Sequence, residues 1–97
     1  MYQVNERFIW DENKHDANIK KHGIDFYEAA TVFDDPNAVS AYDVDHSNDE
    51  DRFVIIGTSI NMRMLIVCHC FRENGNLVRI ISARKAKKRE SMLYGGV

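Results

Sequence analysis

The first third of the chain predicts a short strand followed by two helices. Phe8-Ile9-Trp10 is an apolar run of strand length that can place an aromatic ring in a core. Asp11 can act as an N-cap and Gly23 can adopt the left-handed conformation that ends a helix, so a helix is predicted from Asp11 to about residue 21 or 22. A second helix follows, with Asp25 and Glu28 at capping-box spacing. Its apolar side chains recur at helical spacing, at Phe26, Ala29, Ala30 and Phe33, and Asp34-Asp35-Pro36 ends it.

The rest of the chain has the pattern of strands. Strands are predicted over residues 38–43, 52–59, 63–71 and 77–83, with a polar, acidic loop over 45–51. Asn74-Gly75 favours a two-residue hairpin turn, and a last helix is predicted over 85–94. We therefore predict one α+β domain over residues 1–97, an antiparallel sheet with two N-terminal helices and one C-terminal helix. The helices should pack on one face of this sheet.

The composition is that of an ordinary globular protein. Of the 97 residues, 44% are hydrophobic and 29% are charged, which excludes the class of disordered, apolar-poor chains. Met1 is followed by polar residues, so no secretory signal is predicted. The longest apolar runs, residues 53–56 and 64–68, are too short to cross a bilayer. We expect a soluble cytoplasmic protein with no membrane partner.

The charge of the chain changes sign near its middle. Residues 1–51 carry four Lys/Arg and thirteen Asp/Glu, a net charge of −9. Residues 52–97 carry nine Lys/Arg and two Asp/Glu, a net charge of +7. The net charge of the whole chain, −2, hides this difference. Such an asymmetry indicates an anionic partner for the basic half.

Five arginines lie in or at the ends of the predicted strands, where β-branched and aromatic residues are favoured. They are Arg52, Arg63, Arg72, Arg79 and Arg84, and they are followed by Lys85, Lys87, Lys88 and Arg89. They form either a solvated face or a phosphate-binding platform, because a guanidinium matches phosphate oxygens and stays charged. On a regular strand Arg79 and Arg84 point to opposite faces. Both can reach one site only if the strand ends or bulges near Ser82.

Two histidines are candidates for chemistry. His69 is the best single candidate for proton transfer, since histidine titrates near cellular pH, although a core histidine is an equally good interpretation. His46 can be catalytic or metal-linked, but a solvated loop residue is the favoured interpretation. Cys68 and Cys70 leave one face of a strand while His69 leaves the other, and no second ligand cluster exists. The two thiols are interpreted as core residues, and no metal or other cofactor is expected.

A series of short segments runs in order from about residue 8 to Tyr94. The segments are Trp10-Asp11-Glu12-Asn13-Lys14, Lys21-His22-Gly23-Ile24, Phe26 with Glu28-Ala29-Ala30, Val32-Phe33-Asp34-Asp35-Pro36, Asp45-His46, Glu50-Asp51-Arg52-Phe53, His69, Arg72 and Arg79-Ile80-Ile81-Ser82-Ala83-Arg84-Lys85-Ala86. Together they resemble the BrnT toxin family. The Ile-Ser-Ala-Arg block is the most specific part of this resemblance.

The resemblance implies a RelE-like fold and a ribonuclease that stops translation by cutting RNA. It also implies a BrnA-like antitoxin with a ribbon-helix-helix DNA-binding region. The complex of the two proteins would bind operator DNA mainly through the antitoxin. The chain departs from the family pattern at Lys87, where members often carry the Thr or Ser of a capping box; only its partner Glu90 is present here.

We predict metal-independent RNA cleavage, in which a ribose 2′-hydroxyl attacks the neighbouring phosphate and leaves a 2′,3′-cyclic phosphate. This reaction needs a positioned phosphate, proton transfer and stabilisation of negative charge. The catalytic candidates are Arg84 and Arg79 on the phosphate, His69 as the favoured acid or base, and Glu50 as a second candidate base. The RNA-binding candidates are Arg52, Arg72, Lys85 and Lys88. The alternatives are a nucleic-acid-binding module without catalysis and a protein whose basic surface receives an acidic partner segment.

Overall fold

A computed structural model describes residues 2–3 and 5–94. Its strands are β1 (Tyr2–Gln3), β2 (Phe8–Trp10), β3 (Val39–Tyr42), β4 (Phe53–Thr58), β5 (Met64–Arg72) and β6 (Leu77–Lys85). Its helices are α1 (Glu12–His22), α2 (Phe26–Thr31) and α3 (Lys88–Ser91), and 3₁₀ turns cover Val32–Asp34, Val44–His46 and Glu73–Gly75. In this part of the chain no helix is both long and apolar enough to cross a membrane.

The described strands form one six-stranded sheet in the order β1-β2-β6-β5-β4-β3. Neighbouring strands are antiparallel, as predicted, with one exception: β2 lies parallel to β6. The exception arises because β2 and β6 are far apart in sequence, so no hairpin dictates their relative direction. The predicted α+β fold is confirmed.

Helix α1 begins and ends where the sequence indicates, whereas α2 begins there but ends at Thr31, and a 3₁₀ turn covers the rest of the predicted helix. Asp11 Oδ1 accepts a hydrogen bond from the Lys14 amide at 3.1 Å, and Gly23 ends α1 with a φ of 70°. Asp25 Oδ1 accepts a hydrogen bond from the Glu28 amide at 2.7 Å. The predicted capping box is not completed, because the buried side chain of Glu28 contacts Arg63 of the β4–β5 connection instead.

Helices α1 and α2 pack on one face of the sheet, where they cover a continuous apolar core. Leu65 and Val67 of β5 point into this core, and both are fully buried. The other main members are Phe8, Trp10, Ile24, Phe26, Val32, Ile55, Ile80 and Ala83. Because side chains alternate along a strand, Ile66, Cys68 and Cys70 point to the opposite face, which carries the candidate functional site.

Two predicted elements at the C-terminal end differ from the structure. The Asn74-Gly75 turn is wrong as a two-residue hairpin: Arg72 pairs with Leu77, and the four-residue loop includes left-handed Glu73, Asn74 and Gly75. The last helix is also shorter than predicted, because β6 continues to Lys85 and only Lys88–Ser91 is α-helical. Lys87 has no side-chain acceptor for the first turn, so only Glu90 caps the start of the helix.

Candidate functional site

One extra residue in β6 determines the direction of its side chains. Cys68 of β5 pairs with Ser82, whereas the next residue, His69, pairs with Ile80. Ile81 is therefore the extra residue of a β-bulge, next to Ser82, where the sequence required one. Such a bulge shifts the alternation of the strand by one position.

The bulge brings two arginines to one face of the sheet. Arg79 pairs with Cys70 and Arg84 pairs with Ile66. Directly opposed residues of antiparallel strands point to the same face of a sheet. Because Ile66 and Cys70 point to the face away from α1 and α2, Arg79 and Arg84 point to that face as well. Arg72 follows Cys70 by two positions and has the same direction. We call this surface, with Arg72, Arg79 and Arg84, the arginine face.

A cleft of about 190 Å³ opens on the arginine face. Two of the predicted phosphate-binding residues, Arg52 and Arg84, line it. The full lining comprises Asp43, His46, Arg52, Val54, Ile66, Cys68, Ile81, Ser82 and Arg84. Strands β4, β5 and β6 form its floor, and the loop between β3 and β4 forms one wall. The cleft therefore combines cationic side chains with a histidine and a carboxylate.

Arg84 is held in the cleft by α3. Its two terminal nitrogens donate hydrogen bonds to the two carboxylate oxygens of Glu90, each at 2.8 Å. This contact lowers the pKa of Glu90 to about 2, and the same pairing raises the pKa of Arg84. A planar carboxylate thus occupies the part of the guanidinium that can bind a phosphate.

Glu50 is tied to two arginines. Its carboxylate accepts hydrogen bonds from Arg72 Nη2 at 2.9 Å and from Arg52 Nε at 3.4 Å. The guanidinium of Arg72, more than that of Arg52, lowers the pKa of Glu50. A carboxylate stabilised in this way is a weaker base, so Glu50 is better suited to orienting the two arginines than to removing a proton.

Arg79 differs from the other arginines of the face because its side chain forms no hydrogen bond or ion pair within residues 5–94. Its Nε is buried and has no acceptor in this part of the chain. A buried donor without an acceptor is unfavourable, and an anionic ligand on the arginine face could supply one.

His69 lies away from the arginines. It pairs with Phe53 and Ile80 on the helix-covered face, is 2% exposed, and its Nδ1 contacts the carbonyl oxygen of Val67 at 3.1 Å. Burial lowers the pKa of His69, so the ring is neutral among the aromatic side chains. Its aromatic neighbours are Phe33, Phe53 and Phe71. This geometry is that of a core histidine, the alternative interpretation of His69, and not that of a residue beside the arginines.

The two lysine candidates also lie outside the cleft. Lys85 pairs with Leu65, so it is on the helix-covered side of the sheet, where its side chain is exposed at the strand end. Lys88 begins α3 and is exposed. Neither side chain lines the cleft.

The sequence points to His46 as a candidate but not to its partner in the cleft, Asp43. Asp43 accepts a hydrogen bond from His46 Nδ1, at 2.9 Å to Oδ2 and 3.1 Å to Oδ1. The 3₁₀ turn Val44–His46 brings them together, because residues three apart are neighbours in such a turn. The Asp-x-x-His spacing is the only signal in the sequence, and it does not reveal that both residues line a cleft with arginines.

The cysteines have the expected orientation, on one face and away from His69. Both are free, and burial raises the pKa of each thiol. Cys68 lines the cleft, but a thiol with a raised pKa is a poor nucleophile at neutral pH. In the described part of the chain no three His, Cys, Asp or Glu residues are grouped so as to hold a metal ion.

Comparison with known proteins identifies the family. The family model described as the ribonuclease toxin BrnT of type II toxin-antitoxin systems matches residues 10–90. The chain belongs to the BrnT family. Its members are ribonuclease toxins, which act on RNA and are paired with an antitoxin.

A solved structure agrees with this assignment to the BrnT family. The 1.1 Å crystal structure of the Brucella abortus ribonuclease toxin BrnT is similar, with a TM-score of 0.65 and 26% sequence identity. The match covers 87% of this chain and 100% of the Brucella chain. No match was found among curated protein sequences. The family predicted from the short sequence segments is confirmed.

Proposed function

We propose that this BrnT family member is a metal-independent endoribonuclease whose active site is the cleft of the arginine face. The observation that carries the proposal is the bulge at Ile81, which places Arg79 and Arg84 on the same side of the sheet. Without the bulge, the phosphate-binding groups of β6 would be divided between the two faces. With it, they share a face with Arg72, and Arg84 lines the cleft together with Arg52.

The roles follow from the chemistry of each group. Arg84 and Arg79 bind the scissile phosphate, and their fixed charges stabilise the extra negative charge of the transition state. Arg52 and Arg72, oriented by Glu50, hold neighbouring phosphates of the strand. The 2′-hydroxyl attacks the adjacent phosphorus, the bond to the 5′-oxygen breaks, and the products are a 2′,3′-cyclic phosphate and a 5′-hydroxyl.

An antitoxin of the BrnA type would inhibit the enzyme by covering the arginine face. A partner segment with carboxylates would pair with Arg79 and displace Glu90 from Arg84, as RNA phosphates would. In this arrangement the operator DNA contacts belong mainly to the antitoxin. The toxin-antitoxin complex should therefore cleave RNA far more slowly than the free toxin.

The test is incubation of the purified chain with a defined RNA in excess EDTA. The wild type should produce 2′,3′-cyclic phosphate ends, and Arg84→Ala should lose about 100-fold or more of the rate, the usual size of an electrostatic contribution from one donor. Lys20→Ala, which removes an exposed positive charge from α1, is the matched control and should retain full activity. The same RNA under translation by ribosomes is a second substrate.

Two results would contradict the proposal. Equal rates for Arg84→Ala and the wild type would place the active site elsewhere. Intact RNA in both assays, combined with tight and salt-sensitive RNA binding, would favour the binding-only alternative. Circular dichroism of each variant establishes that it is folded.

A further inference from the structure

We infer that His46 is the general base of the RNA cleavage, positioned by Asp43. The inference rests on the proposed function, and it adds a proton acceptor that the arginines cannot provide. His46 lines the same cleft as Arg52 and Arg84. Guanidinium groups remain protonated and cannot remove a proton from a 2′-hydroxyl, so the cleft needs another group for this step.

The hydrogen bond to Asp43 determines which ring nitrogen of His46 can act as the base. An ionised carboxylate only accepts hydrogen bonds, so Nδ1 of His46 carries the proton that it shares with Asp43. Nε2, on the opposite side of the ring, then has the free electron pair. It forms no hydrogen bond within residues 5–94, where the only polar contact of the ring is with Asp43.

The exposure of the two side chains suits these roles. The side chain of Asp43 is 15% exposed, whereas that of His46 is 66% exposed. The carboxylate is thus largely buried, whereas the ring is open to the solvent from which the RNA must approach. A histidine that acts as a base benefits from a carboxylate partner, because the carboxylate orients the ring and stabilises its charged form.

The loop that carries the pair is held by its own hydrogen bonds. The Asp43 amide donates to the Arg52 carbonyl oxygen at 2.8 Å, which closes the loop at its base. Inside it, Ser47 Oγ donates to the Asp43 carbonyl oxygen at 2.5 Å and accepts from the Arg52 amide at 2.9 Å. His46 is therefore placed on a braced turn beside Arg52, at a defined position relative to the arginine face.

The other candidates for the base are less suitable. The pKa of Glu50 is lowered by its arginine partners, which makes its carboxylate a weak proton acceptor. His69 is buried on the other face of the sheet. Cys68 is in the cleft, but burial raises the pKa of its thiol. His46 remains: it lines the cleft, and its Nε2 has a free electron pair that can accept the proton.

The proposed step is balanced in protons and bonds. Nε2 of His46 takes the proton of the 2′-hydroxyl as the oxygen forms a bond to phosphorus, and the bond between phosphorus and the 5′-oxygen breaks. The 5′-oxygen takes a proton from solvent, and the imidazolium returns its proton to solvent. Water is neither added nor released, and the 2′,3′-cyclic phosphate and 5′-hydroxyl are the products.

The test compares His46→Ala with His22→Ala, a histidine at the end of α1. His46→Ala should lower kcat about 100-fold to 10,000-fold, the usual range for general acid-base catalysis, while His22→Ala should not. Binding of an uncleavable 2′-O-methyl RNA should be unchanged in His46→Ala. Added imidazole should restore part of the lost rate, which it cannot do for a residue with a structural role. Asp43→Asn should lower kcat with little change in KM.

The outcomes separate this inference from the proposed function. If the wild type cleaves RNA and His46→Ala does so within threefold of its rate, or loses a rate that imidazole does not restore, the role of His46 is overturned. The active site on the arginine face then still stands on the Arg84→Ala result. If the wild type cleaves neither free nor translated RNA, the proposed function fails, and the role of His46 with it.

Discussion

Asn18 shows how a single side chain of α1 supports the strand that carries the site. Its Nδ2 donates to the carbonyl oxygens of Ala83 and Ile24, both at 2.9 Å, and its Oδ1 accepts from the Ala83 amide at 3.0 Å. Strand β2 pairs with β6 only near Val78 and so does not reach Ala83. Asn18 supplies the hydrogen bonds that a neighbouring strand would otherwise make to Ala83, the residue before Arg84.

Replacing Asn18 should therefore destabilise the protein strongly. In Asn18→Ala, three buried backbone groups lose their partners, and we expect a loss of about 3 kcal/mol in the free energy of unfolding. Urea denaturation measures this loss, with Asn13→Ala on the exposed side of α1 as the matched control. A loss under about 1 kcal/mol would indicate that other groups satisfy the backbone of Ala83.

The buried ion pair of Glu28 and Arg63 should make stability depend on pH. Glu28 accepts hydrogen bonds from Arg63 and from Ser59 Oγ, and its pKa is lowered to about 2 from 4.5, mainly by Arg63. A lowered folded-state pKa means that the ionised carboxylate stabilises the fold above pH 4.5. This stabilisation is lost as the pH falls from 4.5 towards about 2.

Glu28→Gln should remove this pH dependence. We expect a loss of about 3 kcal/mol at pH 7 and a much smaller difference from the wild type near pH 2, because close to its folded-state pKa the wild-type carboxyl has lost most of the stabilisation that its charge provides. Urea denaturation at several pH values measures the free energy of unfolding of the variant and of the wild type. Glu73→Gln, in the exposed β5–β6 loop, is the control. A constant difference between Glu28→Gln and wild type at every pH would contradict the assignment.

At the scale of elements, β6 and α3 together determine the state of Arg84. The bulge in β6 places the side chain on the arginine face, and the first turn of α3 then brings Glu90 to it. Glu90 also accepts a hydrogen bond from the Lys87 amide at 2.7 Å, so one side chain both caps α3 and pairs with Arg84. If Arg84 binds phosphate as proposed, RNA competes with this carboxylate for the guanidinium.

Glu90→Gln should therefore increase RNA affinity. Glutamine keeps an acceptor oxygen for the Lys87 amide but loses the charge that pairs with Arg84. We expect 2′-O-methyl RNA to bind about 3-fold to 10-fold more tightly, equivalent to about 1 kcal/mol. Glu73→Gln removes the same charge far from Arg84 and should have a smaller effect. Equal changes in the two variants would mean that only net charge matters.

At the scale of the molecule, the two halves of the chain contribute opposite charge to one site. The basic half supplies Arg72, Arg79 and Arg84 on the sheet, and the acidic half supplies Asp43 and Glu50 from the loop at its edge. The acidic residues do more than neutralise the positive charge of the arginine face. Glu50 orients Arg52 and Arg72, and Asp43 orients His46. In the proposed function, phosphate binding depends on these few arginines rather than on the net charge of the chain.

RNA binding should accordingly depend on salt. The slope of log K against log salt concentration should decrease by about 0.7 in Arg84→Ala, as expected when one contact to a single-stranded phosphate is lost. Lys20→Ala should leave the slope unchanged. Binding measured by fluorescence anisotropy at several salt concentrations gives these slopes. An unchanged slope in Arg84→Ala would mean that Arg84 does not contact phosphate.

The local features of the chain could be predicted because neighbouring residues determine them. The caps at Asp11 and Asp25, the helix end at Gly23 and the presence of the strands depend on interactions within a few residues. The same is true of the separation of charge between the two halves, and the order of the short motifs was sufficient to identify the family.

The composition of the site was decided by the tertiary structure. The sequence required a bulge for Arg79 and Arg84 to share a face, but only the pairing of β5 with β6 places it at Ile81. The same pairing buries His69, and the fold of the β3–β4 loop brings Asp43 and His46 to the cleft. The physical reason is that strand register depends on residues far apart in sequence, and a shift of one residue exchanges the two faces of a strand.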